Sequence, residues 1–70
     1  MAASYWVQQR PDGKWEVKND ETGESVAVTQ TQNEAWGQAT HLARQSKGWA
    51  FLRDRNGKVR QQVPFGRKQL

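Results

Sequence analysis

The residue pattern predicts an α+β fold: a small antiparallel sheet of order ββ(β)αββ with one helix packed across one face. Three observations carry that prediction. Thr31 to Lys47 is the one long stretch with helical periodicity. Short segments whose apolar residues alternate with polar ones flank it on both sides. Pro11-Asp12-Gly13 and Asn56-Gly57 supply hairpin turns between those segments.

Ser4 to Arg10 and Lys14 to Lys18 read as paired strands. Proline presets a turn position, aspartate favours turns, and glycine supplies the positive φ of a bulged loop. Tyr5 and Val7 alternate with Trp6 and Gln8, while Trp15 and Val17 alternate with Lys14, Glu16 and Lys18. Tyr5, Val7, Trp15 and Val17 are therefore the expected core. Asn19 to Gly23 is a polar turn, and Glu24 to Thr29 carries Val26 and Val28 as a short third strand.

In the helix, Ala35, Ala39, Leu42, Ala43 and Ser46 share one face of a 3.6-residue period. Thr31 and Glu34 have the form of a capping box, and Gly48 stands where helices end in a left-handed residue. Gly37 costs roughly 1 kcal/mol relative to alanine, but it projects away from the apolar stripe. Small residues on the packing face let the helix sit close to a sheet. Trp49 to Asp54 is the fourth strand and Lys58 to Val63 the fifth, with Asn56-Gly57 as a two-residue turn. Pro64 ends it. The expected domain is 4–63, followed by a basic tail over 64–70.

Seventy residues make one small domain, and a chain of that size buries only about 60% of its unfolded surface. No cysteine is present to add a disulfide or a thiolate metal site. Four tryptophans, two phenylalanines and a tyrosine point instead to a dense aromatic core, to association, or to both. No apolar run of about 18 residues exists to span a membrane. Met1-Ala2-Ala3-Ser4 lacks the basic and apolar regions of a signal peptide, so a cytoplasmic protein is expected. Residues 1–30 hold three bases against five acids, whereas residues 31–70 hold eight bases against two acids. That asymmetry suits an acidic partner, and it also suits a soluble basic protein with no polyanion ligand.

Catalysis is not expected. His41 is the sole histidine and falls opposite the alanine stripe, facing water. Asp20, Glu21 and Glu24 cluster in a turn without the converging oxygens of a cation loop. There is no glycine-rich phosphate loop. The reading is a non-enzymatic protein with no metal, no cofactor and no small-molecule substrate.

Strand parity assigns the remaining residues to faces. With a two-residue turn at Asn56-Gly57, Arg55 faces Lys58, Asp54 faces Val59, Arg53 faces Arg60 and Leu52 faces Gln61. Ala50, Leu52, Val59 and Val63 then meet the helix. Trp49, Phe51, Arg53, Arg60 and Gln62 point outward, as do Trp6, Gln8, Arg10, Lys14 and Lys18 of the first hairpin. Arg55 and Lys58 flank the second turn and extend the same basic surface.

Several motifs occur together in a fixed order. They are Tyr5-x-Val7, then Gly13-x-Trp15-x-Val17-Lys18, then Thr31-x-x-Glu34-Ala35, then Asn56-Gly57-Lys58-Val59, and a late Phe65-Gly66. The chain resembles a family of short bacterial proteins known only as a domain of unknown function. That family typically shows Y-x-V, G-x-W-x-V-K, a T-x-x-E-A helix and a D-G-R-I hairpin. It usually has His-Gly before the second hairpin turn, where this chain has Arg53-Asp54. The resemblance implies the fold and lends no activity. Residues 5–43, with three strands and a T-x-x-E-A-x-x-x-A helix, are also similar to the DNA-binding domain of plant ethylene-response factors. That similarity implies an outer sheet face lying in a major groove.

Two readings of the outer face follow. In the leading one it binds nucleic acid: Arg and Lys neutralise phosphates, Gln and Arg reach base edges, and Trp6, Trp49 or Phe51 stack. In the alternative, the same aromatics form a homodimer or partner-protein interface.

Overall fold

Thr31 starts the helix as its spacing predicts. Its Oγ1 accepts the Glu34 amide at 3.2 Å, and Glu34 Oε1 accepts the Thr31 amide at 3.3 Å, so the capping box is complete. The computed structural model describes residues 3–66, in which this helix, α1, runs Gln32–Ser46. It is preceded by β1 (Tyr5–Gln9), β2 (Trp15–Asn19) and β3 (Ser25–Thr29), and followed by β4 (Trp49–Arg53) and β5 (Val59–Pro64).

The helix ends one residue earlier than its glycine suggests. Lys47, not Gly48, takes the left-handed conformation at φ 60°, and the amides of Lys47 and Gly48 reach back to Arg44 and Ala43. Gly48 is needed for another reason: a Cβ there would run into the Ala3 carbonyl. A Cβ on Gly66 would likewise strike the carbonyl of Lys47. Left-handed backbone costs a non-glycine residue about 1–2 kcal/mol. Lys47→Gly is therefore predicted to stabilise the fold by about 0.5–1 kcal/mol, once the extra freedom of glycine in the unfolded chain is discounted. Urea unfolding checks this, and a destabilised variant would show that the Lys47 side chain matters more than its backbone.

The sheet order is β3-β2-β1-β4-β5. The α+β architecture with a single helix layer is as predicted, but the sheet is mixed and not wholly antiparallel. β4 pairs with β1 in parallel, Tyr5 beside Ala50 and Val7 beside Leu52. The cause is the helix: α1 carries the chain from β3 back over β2 and β1, and a strand-helix-strand crossover delivers its second strand parallel to the first.

Between the layers lie Val7, Val17, Ala35, Ala39, Ala43 and Ala50, all fully buried, with Leu52 close behind. Tyr5, Trp15, Ala27, Trp36 and Leu42 pack around them at partial burial. All four expected core residues are inside or at the rim. The core is not densely aromatic: alanines bring the helix so close that only small and aliphatic side chains fit beneath it. Val26 and Val28 are exposed, and Ala27 is the β3 residue turned toward the helix.

α1 packs on β1 to β4 and does not reach β5. Pro64 belongs to β5, opposite Trp49, and the Phe65 amide bonds the Gly48 carbonyl at 2.9 Å. The folded unit thus extends to Gly66, past the expected boundary at 63. Of the expected basic tail, Arg67 to Leu70 lie outside the described residues. No described helix is long and apolar enough to cross a membrane.

Candidate functional site on the outer sheet face

Register places the outer side chains in rows across the strands. Lys18 on β2, Trp6 on β1, Phe51 on β4 and Gln62 on β5 form one such row. Trp6 lies at its centre beneath two cations. The Arg53 guanidinium carbon stands 4.3 Å from the ring centroid and Lys18 Nζ 5.5 Å from it, each within reach of the negative face of the indole. Arg53 Nε is buried without a hydrogen-bond partner, and no carboxylate pairs with this guanidinium among the described residues. Trp49 stacks parallel to Phe51, with centroids 5.9 Å apart and planes 5° apart, and remains 38% exposed.

The adjacent row carries a residue absent from the sequence prediction. Glu16 is only 8% exposed. It accepts a hydrogen bond from Gln8 Nε2 at 3.0 Å, with Arg10 Nη1 and Lys18 Nζ each at 3.9 Å. Its parity with Lys18 was visible in the sequence, so the signal existed. Arg10 and Lys18 partly neutralise this carboxylate, which leaves Arg53 as the cation of the cluster without an acidic partner.

The second hairpin differs from expectation. Its loop is Arg55-Asn56-Gly57, closed by the Asp54 amide bonding Lys58 O at 2.8 Å and the Gly57 amide bonding Asp54 O at 2.9 Å. Pro11-Asp12-Gly13 is closed in the same way between Arg10 and Lys14. A two-residue turn of type I′ needs positive φ at both Asn56 and Gly57, and only Gly57 has it, at 86°. The Asp54 carboxylate selects the other geometry by accepting the Asn56 and Lys58 amides at 2.8 and 3.0 Å. Arg53 therefore pairs with Val59, and a bulge at Arg60 restores the predicted Leu52–Gln61 pairing.

Two site assignments change as a result. Arg60 does not join Arg53; its Nε holds Asp54 Oδ2 at 2.9 Å. Val59 does not meet the helix and is 49% exposed. Lys14 also leaves the cluster, bordering an open cleft of about 540 Å³ with Val28, Thr29, Asn33, Gly37 and Gln38. Arg55 and Lys58 are exposed at the hairpin tip, away from Trp6. Trp6, Gln8, Arg10, Lys18, Trp49, Phe51 and Arg53 are the residues that the fold brings to one surface. His41 is exposed on α1, and no three acidic or histidine side chains converge among the described residues.

Both hairpin aspartates are held below their ordinary pKa. The Lys14 amide is the main cause for Asp12, with Arg10 and Lys14 charges adding to it; the Lys58 amide is the main cause for Asp54, with the Asn56 amide and Arg60 adding. A carboxylate depressed in the folded state contributes stability above its unfolded pKa and loses it as pH falls through the folded value. Acidification below the ordinary carboxylate range is thus predicted to lower the thermal midpoint. Asp12→Asn with Asp54→Asn should remove that component of the pH dependence, and an unchanged acid limb would assign it to other carboxylates.

No curated protein and no solved structure matches the chain. A family described as "uncharacterized protein conserved in bacteria" (DUF2188) matches residues 5–63. That span runs from the first residue of β1 to the penultimate residue of β5, so it takes in all six elements and the whole Trp6 cluster. The expected resemblance to an uncharacterised bacterial family is met over this whole span, and the chain belongs to that family.

Proposed function

We propose that the outer sheet face binds nucleic acid, with Arg53 and Lys18 contacting phosphates and Trp49 offering a stacking surface. One observation carries this reading: Arg53 is fixed on the Trp6 ring with no acidic partner among the described residues. A guanidinium held against a ring in this way has lost much of its rotational freedom before binding, and its forked donors suit phosphate oxygens. Lys18 lies over the same ring. Trp6 is half-buried and carries both cations, so its proposed role is to position them.

Tryptophan fluorescence, titrated with short DNA and RNA at about 50 and 200 mM salt, tests the proposal. Two phosphate contacts predict a log–log salt slope of about −1.4 on a single strand, hence roughly sevenfold weaker binding at the higher salt. Absence of binding at the lower salt would sink the reading.

The alternative is a homodimer or protein partner with the aromatic sheet face as interface; a different part of the sheet also favours association. β5 is an edge strand lying beyond the helix. Open strand edges pair readily with a further strand. Association there leaves the Trp6 cluster free. Sedimentation of the protein alone separates the readings: a dimer that persists in Lys18→Ala/Arg53→Ala protein but is lost in Trp49→Ala belongs to the aromatic face, and one that survives both belongs to the edge.

A further inference from the structure

Resting on the nucleic-acid reading above, we infer that this face takes single-stranded nucleic acid in preference to duplex.

The first argument is width. The Trp6 cluster occupies β2, β1 and β4, and the sheet continues on both sides into β3 and β5. Neighbouring strands lie about 4.8 Å apart, so five strands span about 19 Å between the outer two axes. The major groove of B-DNA is about 12 Å wide and admits a helix or a two-stranded ribbon. β3 and β5 would meet the phosphate walls before Trp6 and Arg53 approached the base edges. The groove placement implied by the similarity to ethylene-response factors thus fits a three-stranded sheet better than this one. The minor groove is narrower still, about 6 Å.

The second argument is what the face offers. Trp49 is partly exposed and stacks parallel to Phe51, so the pair presents aromatic surface on the outer face. Bases in a duplex are covered by their neighbours, whereas an unpaired base can lie on such a ring. Sheet faces bearing aromatics bind single strands in this manner, and sequence-tolerant stacking accompanies the charge contacts. Lys18, Trp6, Phe51 and Gln62 form a continuous row across four strands. A single strand can follow that row with its backbone near Lys18 and Arg53 and a base over Trp49. Glu16, beside Lys18, opposes any phosphate beyond the two met by Lys18 and Arg53, which limits the site to few charge contacts and makes stacking count for more.

The experiment uses the full chain and four labelled probes of equal length: oligothymidylate, oligouridylate, and duplexes of DNA and of RNA. Fluorescence anisotropy at low salt should give at least tenfold tighter binding of one or both single strands than of either duplex. Comparing the two single-stranded probes separates DNA from RNA as the source. Trp49→Ala should weaken single-strand binding about tenfold and leave any duplex binding unchanged, while Trp49→Phe should retain most of it. Circular dichroism melts of both variants confirm that the fold persists. Equal or tighter binding of duplex overturns this inference and leaves the nucleic-acid reading in place. No binding of any probe overturns both. Single-strand binding that ignores Trp49→Ala in a folded protein overturns the stacking argument.

Discussion

Ala39→Leu is expected to cost about 3 kcal/mol, the upper end of the usual range for overpacking a filled core. For a chain of this length total stability is about 4–10 kcal/mol, so the loss is a large share of it. Ala39 is fully buried on α1, between Ala35 and Ala43, and it faces Val7 and Val17, which have no exposed surface either. The helix therefore rests on the sheet with little more than methyl groups between them. Three added carbons have no cavity to enter, so the helix must lift from β1 and β2 and release the contacts on either side. The adjacent Gln38→Leu places the same side chain in solvent, and it should change stability by less than about 0.5 kcal/mol. Urea unfolding followed by tryptophan fluorescence measures both. If Ala39→Leu matched Gln38→Leu, the close helix–sheet contact described above would be wrong.

Lys18→Ala combined with Arg53→Ala is expected to remove nucleic-acid binding almost entirely, with at least a thirtyfold loss at low salt. Solvent-screened charge contacts contribute about 1 kcal/mol each, below the value of about 1.5–3 kcal/mol for better-shielded ones, and loss of two of them together accounts for that figure. The salt dependence of any residual binding should flatten, because the counterions released by those two phosphate contacts are no longer released. Arg60→Ala is the instructive control. By strand parity alone it is equivalent to Arg53. In the fold its guanidinium is held by Asp54 in the second turn, so Arg60→Ala should weaken that hairpin slightly and alter binding by less than threefold. Anisotropy titrations of the three proteins decide the matter. Equal losses from the double variant and from Arg60→Ala would move the site from the Trp6 cluster to the whole basic end of the sheet.

Much of the outer face was legible before any coordinates. The alternation in Tyr5-Trp6-Val7-Gln8 and in Trp15 to Lys18 assigns sides correctly because both strands are regular and their register is set by one short loop. Trp49, Phe51 and Arg53 follow the same parity. The errors gather at the second turn. A carboxylate that bonds two amides of the loop changes its length by one residue, and Arg60 and Val59 then exchange their expected surroundings. Glu16 shares the parity of Lys18, so its place on the outer face is as readable from the alternation as that of the lysine.

The sequence by itself determined the local elements. Helix start, helix span, strand alternation and the two hairpins all depend on residues within a few positions of one another, where capping, periodicity and turn chemistry act directly. Tertiary structure alone decided the relations between distant segments. The parallel pairing of β1 with β4 depends on where α1 lays the chain down, and the alanine stripe fixes that only by packing on Val7 and Val17. Gly48 and Gly66 are required by carbonyls of Ala3 and Lys47 that no nearby residue supplies. The two cations over Trp6 come from β2 and β4, strands far apart in the chain that pair on either side of β1 and so meet at one ring. Contacts of that kind form only when the sheet closes, so the chain order cannot display them.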